Sequence, residues 1–287
     1  MSVRLSIDLG GTQTRLALIS AEGAVLRRTQ LPTPTAEPTP KRIIEAVRDW
    51  VSESIGPIVF GVPGRVDHLH NKLDHAPNLP DAWRTELDGS KLSAELGRVC
   101  LLVNDADLAA VGEHRYGAGR GSSAMVYLTL STGVGAGVIV NDRLLVSRWS
   151  LAEVGHMVLD LSAYVLGAPA TFEELASGTA LNRRAKEVGY DSGKALLAAL
   201  GTEAADSVWA EHLSAVCAGV RNVAYAFSPD RIVIGGGLGL IGNTLLKPIQ
   251  SYLVTHGPPQ ISIQVATAAL GDDAGLIGGS VYLPAAS

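Results

Sequence analysis

The sequence of 287 residues has few aromatics, few charges and almost no cysteine: 5% Phe, Trp and Tyr, 18% charged residues and two Cys. With 47% hydrophobic residues and so few rings, Ala, Val, Leu and Ile must fill the interior, which is α/β composition. Cys100, in a strand-like run, and Cys217, in a helix-like one, supply neither a disulfide framework nor a thiolate metal site. Both read as small buried hydrophobes. Lys and Arg form no cluster and the formal net charge is −5, which argues against nucleic acid, whose phosphates demand a basic face. No apolar run is long enough to span a membrane, and Val3-Arg4-Leu5-Ser6-Ile7-Asp8 follows the first residues without the basic and apolar regions of a secretion signal. A cytoplasmic protein is expected. Its length exceeds that of a usual single domain, so two closely associated lobes are anticipated.

What is present is an alternation of short apolar runs and helical patterns. Leu5 to Ile7 and Arg15 to Ile19 read as strands around a Gly-Gly turn, and a Pro-rich connector follows from Pro32 to Pro40. Ile43, Ile44, Val47, Trp50 and Val51 share one helical face behind Pro40. Ile58 to Val62 is a short buried strand. Val99 to Val103 is another, ending in Asn104-Asp105 before a helix over 106–116. Met125 to Val140 turns at Asn141-Asp142 and repeats the character of the opening segment. Ile7-Asp8-Leu9-Gly10-Gly11-Thr12 and Leu130-Ser131-Thr132-Gly133-Val134-Gly135 each place a small-residue turn between two apolar strands, as an internal duplication would. Helices are expected within 171–188 and over 203–227, then a strand over 231–234 closed by Gly235-Gly236-Gly237, a strand over 261–266 and a final helix over 272–282.

These turns suit phosphoryl transfer, which needs backbone N–H groups near phosphate oxygens, a Mg²⁺ ion and a carboxylate to receive a hydroxyl proton. Gly10 and Gly11 lack Cβ and let N–H groups approach an anion, Thr12 adds a hydroxyl, and Asp8 is placed to hold Mg²⁺ through water. From that motif alone an ordinary hairpin turn reads equally well. Thr132 and Gly133 open a stretch with glycine at alternate positions, which clears one face of a strand for a nucleotide or for tight packing. Gly235 and Gly236 offer a further approach, for the adenosine end, or a flexible connection. Asp105 is the sharpest candidate for a base, with Asn104 fixing a second hydroxyl; Asp as a helix N-cap is the competing reading. Glu153 and His156 are spaced to bracket adjacent hydroxyls. The same spacing suits a metal pair, but the following segment offers only Asp160 and no Cys or His, so hydrogen bonding is favoured over zinc. Thr171 and Glu174 form a capping box, which leaves Glu173 to point elsewhere.

Taken in order, Asp8-Leu9-Gly10-Gly11-Thr12, Gly61-Val62-Pro63-Gly64, Pro77-Asn78-Leu79, Asn104-Asp105-Ala106, Ser131-Thr132-Gly133-Val134-Gly135, Glu153-Val154-Gly155-His156 and Gly235-Gly236-Gly237 resemble the ROK family of bacterial sugar kinases and repressors, over nearly the whole chain. The resemblance implies a two-lobed α/β fold of the actin-like ATPase (ribonuclease H-like) class, with a duplicated sheet-and-helix core and a central cleft. It implies a smaller lobe over 1–106 joined by the helix 272–287, and a larger one over 107–271. Phosphate contacts would come from the first two glycine turns, and sugar contacts from Gly64, Asn78, Asn104, Asp105, Glu153, His156 and Glu173, with Asp105 as the base. The family's repressors carry an N-terminal DNA-binding extension for which the position of Asp8 leaves no room, which favours the kinase branch. Many members hold zinc in a cysteine cluster after the Gly-His pair; residues 161–171 contain no cysteine, so no zinc site is expected. The implied activity is ATP- and Mg²⁺-dependent phosphorylation of a hexose by a homodimer. Glucose is the first expectation, with N-acetylmannosamine, N-acetylglucosamine and fructose as alternatives and polyphosphate as another conceivable donor. A non-catalytic sugar sensor is the rival from another class.

Overall fold

The structure is a computed structural model that describes residues 2–34, 39–76, 79–150 and 152–283. The chain divides into two compact units, residues 1–120 with 137–151 and 272–287, and residues 121–136 with 152–271.

The first unit opens with strands β1 (Val3–Leu9), β2 (Gln13–Ser20) and β3 (Val25–Pro32), followed by helix α1 (Lys41–Glu53) and β4 (Ile58–Val62). A small hairpin of β5 (Arg65–Asp67) and β6 (Lys72–His75), helices α2 (Trp83–Glu86) and α3 (Gly89–Leu96), strand β7 (Cys100–Asn104) and helix α4 (Asp105–Tyr116) complete its main run. The sheet order is β3-β2-β1-β4-β7: β1 is antiparallel to β2, and β1, β4 and β7 are mutually parallel neighbours. Leu5, Ile7 and Leu9 alternate into the core against Ile43, Ile44 and Val47 of α1, with Trp50 and Val51 partly buried at its edge. Cys100 is buried, and desolvation pushes its thiol up to about 12. The sequence reads Ala21-Glu22-Gly23 as a hairpin turn, and the chain does turn back there, with Gly23 at φ +83°, into β3, whose residues are mostly exposed and lack apolar alternation. It is an edge strand held by backbone pairing to β2 across a bulge at Leu18 and Ile19. Residues 35–38 of the expected connector lie outside the described residues.

The remaining strands are β8 (Ala124–Leu130), β9 (Val134–Val140) and β10 (Arg143–Leu144); then come α5 (Leu161–Val165), α6 (Phe172–Ala176), α7 (Gly178–Glu187), α8 (Gly193–Ala198) and α9 (Glu203–Phe227). β11 (Arg231–Gly235), α10 (Gly236–Gly239), α11 (Asn243–His256), β12 (Gln264–Thr267) and α12 (Ala274–Val281) follow. The second sheet has the order β10-β9-β8-β11-β12, with β8, β11 and β12 parallel. That is the order of the first sheet repeated, which is the expected duplication. The turn between β9 and β10 places both Asn141 and Asp142 at positive φ, the backbone of a type I′ hairpin. Helix α9 has the expected span, and Cys217 within it is buried.

Helix α12 packs along α4 within the first unit. A Cβ at Gly112 would run into Ala274 O, and one at Gly278 into Leu108 O, so small residues set the close crossing. This contact, together with the β9–β10 segment, places residues 107–120 and 137–151 with the first unit, whereas the sequence reading draws its line after 106. Among the described residues no helix is long and apolar enough to cross a membrane.

Candidate active site

In the first unit the Gly-rich turn between β1 and β2 is tight. Gly10 N donates to Gln13 O at 2.9 Å, and an added Cβ would stand 2.8 Å from the same carbonyl. Thr33 Oγ1 donates to Gly10 O at 2.6 Å and Thr33 N to Thr12 O at 2.9 Å, so both carbonyls are engaged at the end of β3. Gly11 is half-buried, and Thr12 is exposed at the tip. Asp8 lies directly across the ladder from Arg15, whose Nη1 donates to Asp8 Oδ2 at 3.3 Å, while Arg15 Nη2 reaches Asp272 at 3.4 Å. Burial pushes the Asp8 carboxyl up against the opposing pull of Arg15. Its other oxygen, Oδ1, faces two glycines: a Cβ would lie 3.5 Å away at Gly61 and 4.0 Å away at Gly275.

The same Gly275 position is 3.9 Å from Asp105 O, which brings the start of α4 to the slot beside Asp8. Asn104 is the N-cap of α4. Its Oδ1 accepts from Ala106 N at 2.9 Å and Asp107 N at 3.1 Å, and its Nδ2 donates to Gly64 O at 2.8 Å. The sequence reading set Asp105 as an N-cap against Asp105 as a base. In the structure Asn104 caps the helix, and Asp105 is the first helical residue, exposed, with Oδ1 accepting from Ala106 N at 2.8 Å. Gly64, at φ +96°, lies so close to His75 O that no side chain fits. Gly64, Asn104 and Asp105 thus come together through one amide. Asn78, expected beside them, lies outside the described residues.

In the second unit Thr171 and Glu174 form the expected capping box. Glu173 takes no part in it and points elsewhere, as expected. Its Oε2 accepts from Val134 N at 2.8 Å, and a Cβ at Gly133 would meet that oxygen at 2.5 Å. Gly155 packs over Val134 O just as closely, at 2.5 Å for an added Cβ. Glu173 therefore braces the turn of Ser131, Thr132 and Gly133, and that turn is closed further by Ser131 N donating to Gly133 O at 2.9 Å. Glu153 and His156 flank a short 3-10 turn at Val154–His156; both are exposed, and their side chains approach to 3.9 Å. Asp160, the acidic residue that follows them, caps α5 by accepting from Ala163 N at 2.9 Å. Among the described residues no group of three or more His, Cys, Asp and Glu is arranged to hold a metal.

A cavity of about 490 Å³ opens in the second unit between the turn, α7, α8 and α10 with the residues just after it. Leu181, Leu197, Leu238, Leu240 and Ile241 form its apolar walls, and Ser131, Thr132 and Thr179 its polar end. Thr179 Oγ1 donates to Thr132 O at 2.7 Å, tying α7 to the turn. Of the triple glycine, Gly237 lines the cavity, with nothing near an added Cβ. Gly235 and Gly236, the two expected contacts, are needed for packing: Gly235 lies against the Tyr127 ring, and Gly236, at φ +75°, would place a Cβ 2.5 Å from Leu130 O. Gly137 likewise serves tight packing and not an open face, since its Cβ would stand 2.7 Å from Ala110 Cβ and 2.8 Å from Ala106 O. Sequence reasoning missed Arg15, Asn182, Lys194 and the leucines of the cavity; elements far apart in the chain contribute them, and no local motif marks them.

The first unit presents a carboxylate in a glycine slot beside an exposed aspartate, and the second a nucleoside-sized cavity ending in a hydroxyl-bearing turn. Comparison with known sequences matches the ROK family over residues 4–285. The chain is 31% identical to a glucokinase from Streptomyces coelicolor, over 97% of this chain and 96% of that protein, and 29% identical to one from Thermotoga maritima, over 96% and 95%. Among solved structures it is similar to a ROK family glucokinase from Streptomyces griseus in complex with glucose and AMPPNP, with a TM-score of 0.79, 28% identity and coverage of 97% and 98%. A ROK hexokinase from Thermus thermophilus gives a TM-score of 0.81 at 28% identity, over 97% of each chain. The fold is the α/β actin-like ATPase fold of those neighbours, and the chain belongs to the ROK family.

Proposed function

We propose that the protein is an ATP-dependent sugar kinase that phosphorylates a hexose, with glucose as its substrate. The observation that carries this reading is likeness along almost the whole chain to glucokinases, including one solved with glucose and a non-hydrolysable ATP analogue. In this reading Asp105 receives the proton of the attacking hydroxyl as the oxygen–phosphorus bond forms. The start of α4 supports the assignment, because Asn104 is the N-cap and Asp105 stands exposed as the first helical residue. Gly64 and Asn104, joined by their hydrogen bond, and Glu153 and His156 bind sugar hydroxyls, and Asn78 is assigned to the same task by resemblance. The cavity takes the adenosine, with Thr132, Gly133 and Gly237 next to the phosphates; Gly10, Gly11 and Thr12 supply the second phosphate turn.

Mg²⁺ bound with ATP would neutralise charge that develops on transfer. The residues present fit an ion held chiefly by phosphate and water, since Asp8 is a single carboxylate with Oδ1 facing the glycine slot. Asp8 would hold it through water while Arg15 fixes the other oxygen. The reading includes a cytoplasmic homodimer, which rests on the resemblance.

The test is coupled ADP release with ATP·Mg²⁺ over glucose, fructose, N-acetylglucosamine and N-acetylmannosamine, run beside Asp105→Asn. Glucose-dependent release that falls by roughly 10²–10⁴-fold in the variant, with glucose binding retained, is expected. Near-normal turnover in Asp105→Asn would remove Asp105 from the role of base, and glucose inert beside another active sugar would change the substrate.

A further inference from the structure

The cavity of the second unit has a fixed hydrogen-bonding polarity. Asn182, on α7, lines it, and its Oδ1 accepts from Gly193 N at 2.6 Å. A backbone N–H can only donate, so this bond settles which end of the amide is which. The Nδ2 group, with its two N–H donors, is the end left for a ligand. Lys194 follows Gly193 on α8 and shares a helical face with Leu197, which also lines the cavity. Its ammonium, a donor only, forms no hydrogen bond or ion pair among the described residues. Thr179 Oγ1 is held at the turn end of the cavity by donating to Thr132 O at 2.7 Å, and Leu181, Leu197, Leu238, Leu240 and Ile241 are apolar. Away from that end the polar side chains are Asn182 and Lys194, and both present donors.

A purine meets such a site through its acceptors. Adenine and hypoxanthine share N7, but at position 6 adenine carries an amino donor where hypoxanthine and guanine carry an oxygen. Against an amide N–H and an ammonium the 6-amino group finds no side-chain partner, whereas the 6-oxo group accepts from either. We propose that Asn182 and Lys194 make this cavity a reader of purine acceptors, so that 6-oxopurine triphosphates serve as phosphoryl donors as well as ATP or better. The inference rests on the kinase reading above. The transfer step is unchanged: the sugar oxygen forms its bond to the γ-phosphorus as the bond to the bridging β,γ-oxygen breaks. The nucleoside diphosphate leaves and Asp105 takes the hydroxyl proton.

The experiment measures kcat/KM for ATP, ITP and GTP with the sugar saturating, in the unchanged protein, in Asn182→Asp and in Lys194→Met. ITP within about threefold of ATP, or above it, is expected. In Asn182→Asp one carboxylate oxygen still accepts from Gly193 N while the other now accepts from a 6-amino group. The ATP:ITP ratio should rise about tenfold, the effect of one hydrogen bond gained and one lost. Lys194→Met should lower ITP and GTP more than ATP. A preference for ATP above about thirtyfold in the unchanged protein, or a ratio that Asn182→Asp leaves unmoved, overturns the proposal. If no sugar turns over with any nucleotide, the kinase reading fails by itself, and calorimetric titration with ATP and with ITP decides the selectivity separately. Equal or tighter ITP binding then supports it, and a tenfold preference for ATP overturns it.

Discussion

Replacing Gly137 by Ala should damage both stability and turnover, although it adds only one methyl group. Gly137 lies in β9, where α4 crosses closest. A Cβ there would stand 2.7 Å from Ala110 Cβ, 2.8 Å from Ala106 O and 2.9 Å from Asp107 Cα, while ordinary contact begins near 3.4 Å. Strand and helix must separate by about 0.7 Å, the difference between 3.4 and 2.7 Å. Two of the three neighbours are backbone atoms and cannot rotate away. Overpacking of this kind costs roughly 1–3 kcal/mol. Losing a strand glycine returns about 0.5–1 kcal/mol, so the net loss is up to about 2.5 kcal/mol. For a protein of this size that is a fall in Tm of up to roughly 10 °C. Ala106 is also the residue after Asp105, and a sub-ångström shift of the first turn of α4 should lower kcat by about ten- to a hundredfold. Gly275→Ala is the control, because the nearest atoms to its Cβ lie at 3.9 and 4.0 Å and the helix gains up to about 1 kcal/mol. Thermal unfolding of both variants, with glucose turnover of Gly137→Ala, tests the argument. If Gly137→Ala matches Gly275→Ala in Tm and keeps its kcat within twofold, close approach does not position α4 and the reasoning fails.

Glu173→Ala removes the acceptor for Val134 N, so the KM for ATP should rise about two- to tenfold while that for sugar moves less than twofold; a rise in the sugar KM alone would return Glu173 to the sugar contact implied by resemblance. His212 is buried with its Nδ1 3.2 Å from Arg184 Nη1, and desolvation first, then the Arg184 charge, push it down to about 3 from an ordinary 6.5. The unfolded chain binds that proton more readily, so the stability due to neutral His212 is complete above pH 6.5 and drains as pH falls toward 3, by roughly 2 kcal/mol at pH 5. Urea unfolding at pH 7 and pH 5 should show this slope, and His212→Gln should flatten it; an unchanged slope in the variant would assign the pH dependence to other groups.

The functional reading depended on residues that are neighbours in sequence. The capping box at Thr171 and Glu174 and the strands flanking both glycine turns follow from short-range chemistry: a cap needs an acceptor two or three residues ahead of its donor, and a strand needs its period; that Asn104 and not Asp105 caps α4 came from the structure. The repeated strand order was legible for the same reason, because each half carries its own copy of strand, turn and strand. Tertiary structure alone decided what each glycine is for, since the use of a missing Cβ depends on the atom opposite: a carbonyl at Gly236, a carboxylate at Gly133, open space at Gly237. It also decided the duty of Glu173, the partner of Asp8 and the donors around the cavity. Glu173 and Val134 lie 39 residues apart in the chain, and hydrophobic periodicity carries no record of which such segments will meet.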